Sequence, residues 1–176
     1  MAALSENKAM ITACEKNKIR GERLKYNLEK QGTKRTTVIL KDSRNLDNFF
    51  SFDKILLDSP CSGSGILNLN DDNFEKTFTK ELITKSIKTQ QELLKKAIKI
   101  LKKDGEIIYS TCSILKEENE KVLERILTYG NLEIVPIDKT RFLGVPFLPS
   151  IIEGTISVMP TKYYEGFFVA KLKKKE

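Results

Sequence analysis

The short run Lys54-Ile55-Leu56-Leu57 feeds directly into Asp58-Ser59-Pro60-Cys61-Ser62-Gly63-Ser64-Gly65. A brief apolar run bounded by turn residues is how a strand buried on both faces reads. Proline has no N–H to give a sheet ladder, so the strand must stop by Pro60 and the Ser/Gly tract after it is a loop. A carboxylate and a thiol are thereby delivered together to the C-terminal tip of a buried strand, the edge at which open α/β sheets bind ligands. The pattern returns once: Glu106-Ile107-Ile108-Tyr109-Ser110 reads as a buried strand and ends in Thr111-Cys112-Ser113. If the two strands are sheet neighbours, Cys61 and Cys112 face one cleft.

The remaining chain supplies a framework for those tips. A strand is expected over Ala9–Cys14, closing on Glu15, followed by a helix over Arg20–Lys30 that stops at Gly32. Thr36–Leu40 is β-branched and apolar, a second strand with Asp42 just beyond its tip. Leu67–Phe78 has no clean period and reads as a loop. Leu93, Leu94, Ala97, Ile98 and Leu101 share one face of a helix expected over Ile83–Leu101, with Lys102 and Lys103 at its negative end and Gly105 as its stop. A further helix is expected over Glu117–Tyr129 with acids in its first turn, then a strand over Leu132–Val135. Asp138–Glu165 reads as a long loop, and Gly166–Leu172 closes as a strand. Met1–Leu4 suits the end of a helix. Strands alternating with helices, then two strands joined without one, indicate an α/β doubly wound sheet with an antiparallel last strand. That is the pattern of the Rossmann-like S-adenosylmethionine-dependent methyltransferase fold.

Composition narrows the chemistry. The 176 residues suit one domain, and no apolar run reaches membrane-spanning length. The chain has three cysteines and no histidine, which argues for free thiols in a reducing, intracellular compartment and against a zinc site. A net charge of +7 favours a polyanion partner such as nucleic acid, although lysines on solvated helix faces account for much of it. A free cysteine is most often a small buried hydrophobe, and that reading is kept for Cys14; the strand-tip placement of Cys61 and Cys112 favours function. Asp58 either works beside them or caps the following turn. Glu15, at a strand tip before a helix, suits the ribose hydroxyls of a nucleoside cofactor.

Three segments in order carry a resemblance across almost the whole chain. Phe52 to Gly65, Ile108 to Ser113 followed by Glu117-Glu118-Asn119-Glu120, and Glu165-Gly166-Phe167-Phe168-Val169-Ala170 are similar to the signatures of the NOP/Sun family of RNA cytosine-5 methyltransferases. The resemblance implies S-adenosylmethionine as cofactor and RNA as partner, ribosomal RNA before transfer RNA. Cys112 would be the nucleophile, Cys61 would assist product release, and Asp58 would hold the cytosine and reach the cofactor. Asp42 would be the adenine-side acid, with Glu15 on the ribose. Neither metal nor membrane is implied; the compartment would be nucleolar in a eukaryote and cytoplasmic otherwise. The family's glycine-rich cofactor segment would precede residue 1. The expectation is therefore a catalytic domain over 1–176, N-terminally truncated with the first strand missing. Its sheet would have a gap, a direct pairing of the Ala9–Cys14 and Lys54–Leu57 strands, or a borrowed strand. The rival is a non-catalytic RNA-binding or ribosome-assembly module on the same fold. Phe142, Phe147, Tyr163 and Tyr164 are candidate base-stacking residues.

Overall fold

The computed structural model describes residues 1–67, 78–129 and 131–175, arranged as two compact units, Met1–Asp47 and Asn48–Glu176. The loop expected over Leu67–Phe78 falls on residues 68–77, outside the described residues.

The first unit holds β1 (Ile11–Cys14), α1 (Lys18–Lys30) and β2 (Thr36–Ile39). The two strands pair in parallel, Ile11 opposite Thr36 and Cys14 opposite Ile39. Asn17 caps α1 by accepting the Arg20 N–H at 3.1 Å, which draws the helix start back to Lys18 from the expected Arg20. Gly32 takes the left-handed conformation expected of it, with φ of 66°. Residues 3–5 form a 3-10 turn where a helix end was expected. Of residues 1–47 only Gly21 and Leu46 are buried.

The second unit carries the core. It contains β3 (Phe52–Asp58), α2 (Lys80–Ile100), β4 (Leu101–Thr111), α3 (Glu120–Tyr129), β5 (Leu132–Ile134), β6 (Ile156–Val158) and β7 (Phe167–Lys174). The sheet order is β3-β4-β7-β5, with β6 also against β7. β3 and β4 run parallel, from Lys54 opposite Glu106 to Asp58 opposite Ser110, while β7 is antiparallel to β4, β5 and β6. Parallel neighbours in this register bring two C-terminal tips to the same place. Ile107 and Tyr109 of β4 and Phe168, Ala170 and Leu172 of β7 are fully buried, at every second position as the pleat requires. Leu94 and Ala97 of α2 and Val122, Leu123 and Ile126 of α3 complete this cluster. Each large apolar side chain there contributes about 1.5–3 kcal/mol by leaving water. Tyr109 and Phe168 meet edge to face at 6.3 Å.

Three expectations change. Gly105 does not stop α2: the helix ends at Ile100, the chain enters β4 at once, and a Cβ on Gly105 would lie 2.8 Å from Leu101 Cδ1. The negative end of α2 is answered by Lys174 of β7, whose Nζ donates to Ile98 O at 3.0 Å and Leu101 O at 2.9 Å, while Lys102 pairs with Asp53 at 2.8 Å. The long loop contains β6, hydrogen-bonded to β7, and a turn at Lys139–Arg141. Among the described residues, no helix is long and apolar enough to cross a membrane.

Candidate active site

The tips of β3 and β4 meet as their register dictates. Ser110 Oγ donates to Asp58 Oδ1 at 2.8 Å, and Ser59 N donates to Ser110 O at 2.8 Å, carrying the ladder one residue further before Pro60 ends it. Asp58 is exposed, with one oxygen anchored and Oδ2 facing no protein partner among the described residues. Beyond Pro60 the chain turns so that Cys61 Sγ lies 2.9 Å from Cys112 Sγ, both free thiols and both half-buried. Burial first, then the Cys112 sulfur and the Glu118 carboxylate, push the Cys61 thiol up to about 12, while the Gly63 N–H acts in the opposite direction. Either sulfur can be the donor across this contact.

The loop carrying Cys61 is held along its length by side chains from elsewhere in the unit. Gln90 of α2 donates from Nε2 to Pro60 O at 3.0 Å. Ser62 donates its N–H to Glu118 Oε1 at 2.7 Å and its hydroxyl to Glu118 Oε2 at 2.6 Å. Ser64 Oγ meets Ser113 Oγ at 2.8 Å and accepts the Ile114 N–H at 3.0 Å. Gly65 N donates to Cys112 O at 3.0 Å, and Gly166 N donates to Gly65 O at 2.8 Å. The last contact needs two glycines: a Cβ on Gly65 would fall 2.1 Å from Gly166 O, and one on Gly166 would fall 2.7 Å from Gly65 Cα. On the Cys112 side, Thr111 Oγ1 donates to Asn119 Oδ1 at 2.6 Å and Asn119 Nδ2 donates to Ser113 O at 2.8 Å. Both cysteines are held by a shell of hydrogen-bonded polar groups, within which Gln90 Oε1 and Ser59 Oγ are buried without a partner among the described residues.

Glu118, Asn119 and Gln90 escape the sequence reading. The acids at 117–120 read as the first turn of a helix, yet α3 begins only at Glu120, and Glu118 and Asn119 are spent on the two cysteine tips. Their one legible signal was their place in the second family segment. Gln90 sits on the buried face of α2, where an apolar residue is the default.

The first unit places the other two candidate acids. Glu15 Oε1 accepts from Asn17 N at 2.7 Å and from Arg20 Nη2 at 2.9 Å; the Asn17 N–H, then Arg20, hold its carboxyl below the usual range. Oε2 keeps no protein partner among the described residues. Asp42 accepts the Arg44 N–H and Nε on Oδ1 and Nη2 on Oδ2, and Arg44 lowers it to about 2. Cys14 ends β1 half-buried, and burial pushes its thiol up. Among the described residues no cluster of histidine, cysteine or acid is arranged to hold a metal.

Residues 1–173 match the family described as 16S rRNA methyltransferase RsmB/F. The chain is 32% identical to a ribosomal RNA small subunit methyltransferase F of Vibrio vulnificus and 35% identical to that of Serratia proteamaculans, each over 99% of this chain. It spans 37% of the length of either relative. Among solved structures it superposes on NSun6 from Pyrococcus horikoshii, crystallised with SFG, at a TM-score of 0.85 and 29% identity over 99% of this chain and 44% of that one.

Proposed function

The chain belongs to the 16S rRNA methyltransferase RsmB/F family, and from that premise we propose that it carries the transfer of a methyl group from S-adenosylmethionine to carbon 5 of a cytosine in ribosomal RNA. The observation that carries this reading is the 2.9 Å approach of Cys61 Sγ to Cys112 Sγ beside Asp58. Carbon 5 of cytosine is too weak a nucleophile to take a methyl group unaided. Addition of the Cys112 thiolate to carbon 6 makes carbon 5 enamine-like, splitting one hard step into easier ones. The Cys61 S–H stabilises that thiolate before attack by donating to it. Asp58, anchored through Oδ1, offers Oδ2 as an acceptor for an N–H of the cytosine, which orients the ring for attack. After methylation a solvent water takes the carbon 5 proton, the C–H electron pair re-forms the carbon 5–carbon 6 double bond, and the carbon 6–Sγ bond breaks as Cys112 departs as a thiolate. The Cys61 S–H then stands beside the departing sulfur and aids release.

S-adenosylmethionine supplies an electrophilic methyl on a sulfonium centre. The residues present fit it: Glu15 has a whole carboxylate oxygen for a ribose hydroxyl, and Asp42, with three of about four lone-pair sites on Arg44, has room for one more donor on its adenine side. The polyanion side of the reading rests on the net charge of +7 and on aromatic rings beside lysines, with Lys162 Nζ 4.7 Å from the exposed Tyr163 ring and Lys139 Nζ 5.6 Å from the half-buried Phe147 ring.

The test is methyl transfer to small-subunit ribosomal RNA with 5-methylcytosine read by mass spectrometry. Cys112→Ala is expected to lower the rate by about a thousandfold or more. Cys61→Ala is expected to accumulate a covalent protein–RNA band on a denaturing gel. Transfer by Cys112→Ala at the wild-type rate would overturn the assignment of the nucleophile.

A further inference from the structure

Glu118 is fully buried, and no step above uses it. A buried carboxylate is costly unless its oxygens are satisfied, and this one gives both to a single residue, Ser62, next in the chain after Cys61. Its own backbone is fixed in turn, because the hydroxyl of the fully buried Tyr109 donates to Glu118 O at 2.8 Å. A continuous run of packed groups therefore leads from the core through Tyr109, Glu118 and Ser62 to Cys61. On the other side of the thiol, Gln90 holds Pro60 O. A loop that needed only to turn could do so on the left-handed Gly63, with φ of 76°. Placing a negative charge there does something a neutral anchor would not.

We propose that Glu118 is a positioning residue for the reaction: by holding both the N–H and the hydroxyl of Ser62 it sets Cys61 as the hydrogen-bond donor to Cys112, dividing the two thiols into one that donates and one that attacks. This rests on the roles given to the pair above. The titratable groups facing Cys61 are Cys112 across the cleft, Glu118 behind the Ser62 turn and Tyr109 from β4; the first two disfavour a negative charge on Cys61, and Tyr109 is itself held neutral by burial and by Glu118. Against them, the Gly63 N–H favours the Cys61 thiolate.

Alkylation of the chain by iodoacetamide from about pH 6 to about pH 11, with each cysteine resolved by peptide mass spectrometry, tests this without RNA or cofactor. In the wild type Cys112 is expected to react at least about tenfold faster than Cys61. Glu118→Gln keeps an acceptor for the Ser62 N–H and removes the charge. It should shift the Cys61 profile to lower pH and narrow its gap to Cys112, while burial keeps Cys61 the slower of the two and Cys14 stays unchanged as the internal reference. Ser62→Ala, which keeps the charge and the N–H bond, should preserve the wild-type order even if Glu118→Gln does not fold. Equal reactivity of the two thiols in the wild type, an unshifted Cys61 profile in folded Glu118→Gln, or loss of the order in Ser62→Ala would each overturn the proposal. Because the readout is thiol chemistry, failure here is separable from failure of methyl transfer.

Discussion

The tip of β1 and the paired tips of β3 and β4 present the same ingredients, a cysteine and an acid at the end of a short strand, and hold them by opposite means. At β1 the side-chain bonds close within five residues, the Glu15 carboxylate accepting from Asn17 and Arg20, and only the backbone reaches further, Glu15 N donating to Ile39 O at 3.1 Å. At β3 and β4 they join residues about fifty positions apart: Ser110 to Asp58, Ser64 to Ser113, Ser62 to Glu118. Local bonds shape a turn whether or not a core exists. Distant ones form only after the sheet has assembled, so the cysteine pair is a product of the completed core. The first unit has two buried residues and needs no more to place one carboxylate; the second uses a core to set two sulfurs 2.9 Å apart.

The widest difference should appear in amide exchange. β4 and β7, whose central residues are fully buried, are expected to exchange at least about a thousandfold more slowly than β1 and β2. Mass spectrometry of the exchanging chain measures this, and equal rates would erase the contrast. Next is Gly65→Ala, which forces a Cβ to 2.1 Å from Gly166 O, where only backbone can yield. A loss of about 3 kcal/mol or more in urea unfolding is expected, with Cys61 and Cys112 losing their distinct reactivities. The smallest effect belongs to the first unit. Asp42 is depressed from 3.8 to about 2, so its contribution is present above pH 3.8 and is lost as pH falls through about 2. Asp42→Asn should cost less than about 1 kcal/mol near neutrality because the Arg44 pair is partly exposed, and a carboxyl NMR titration of the wild type should place the midpoint near 2.

The same contrast decides what could be read from the sequence. β3 and β4 were legible as strands because Ile55, Leu57, Ile107 and Tyr109 make short apolar runs stopped by obvious breakers, and their register then brings Cys61 to Cys112; the expected burial of β3 on both faces does not hold, since Leu56 is 53% exposed and Ile55 and Leu57 are half-buried. β6 was not: Ile156-Ser157-Val158 is three residues long, and its burial comes from pairing with β7 rather than from any period of its own. Gly105 looks like a helix stop in sequence, whereas the residue it makes room for, Leu101, belongs to the strand. Glu118 was mistaken for a helix-start acid because an acid before a helix is common, and its partner lies 56 residues earlier. Side-chain bonds of that span leave no local pattern.

β7 follows every other strand in the chain and yet lies between β4 and β5. While the protein is being synthesised, β3, β4 and β5 can all have left the ribosome with the middle of their sheet still open, α2 without the lysine that caps it, and Gly65 without the glycine it touches. The unit therefore cannot fold progressively from its leading end, and its two thiols come into register only after Gly166–Lys174 has been made and inserted. Until then those sulfurs are two ordinary cysteines on an unfinished polypeptide, and their pairing comes into being late.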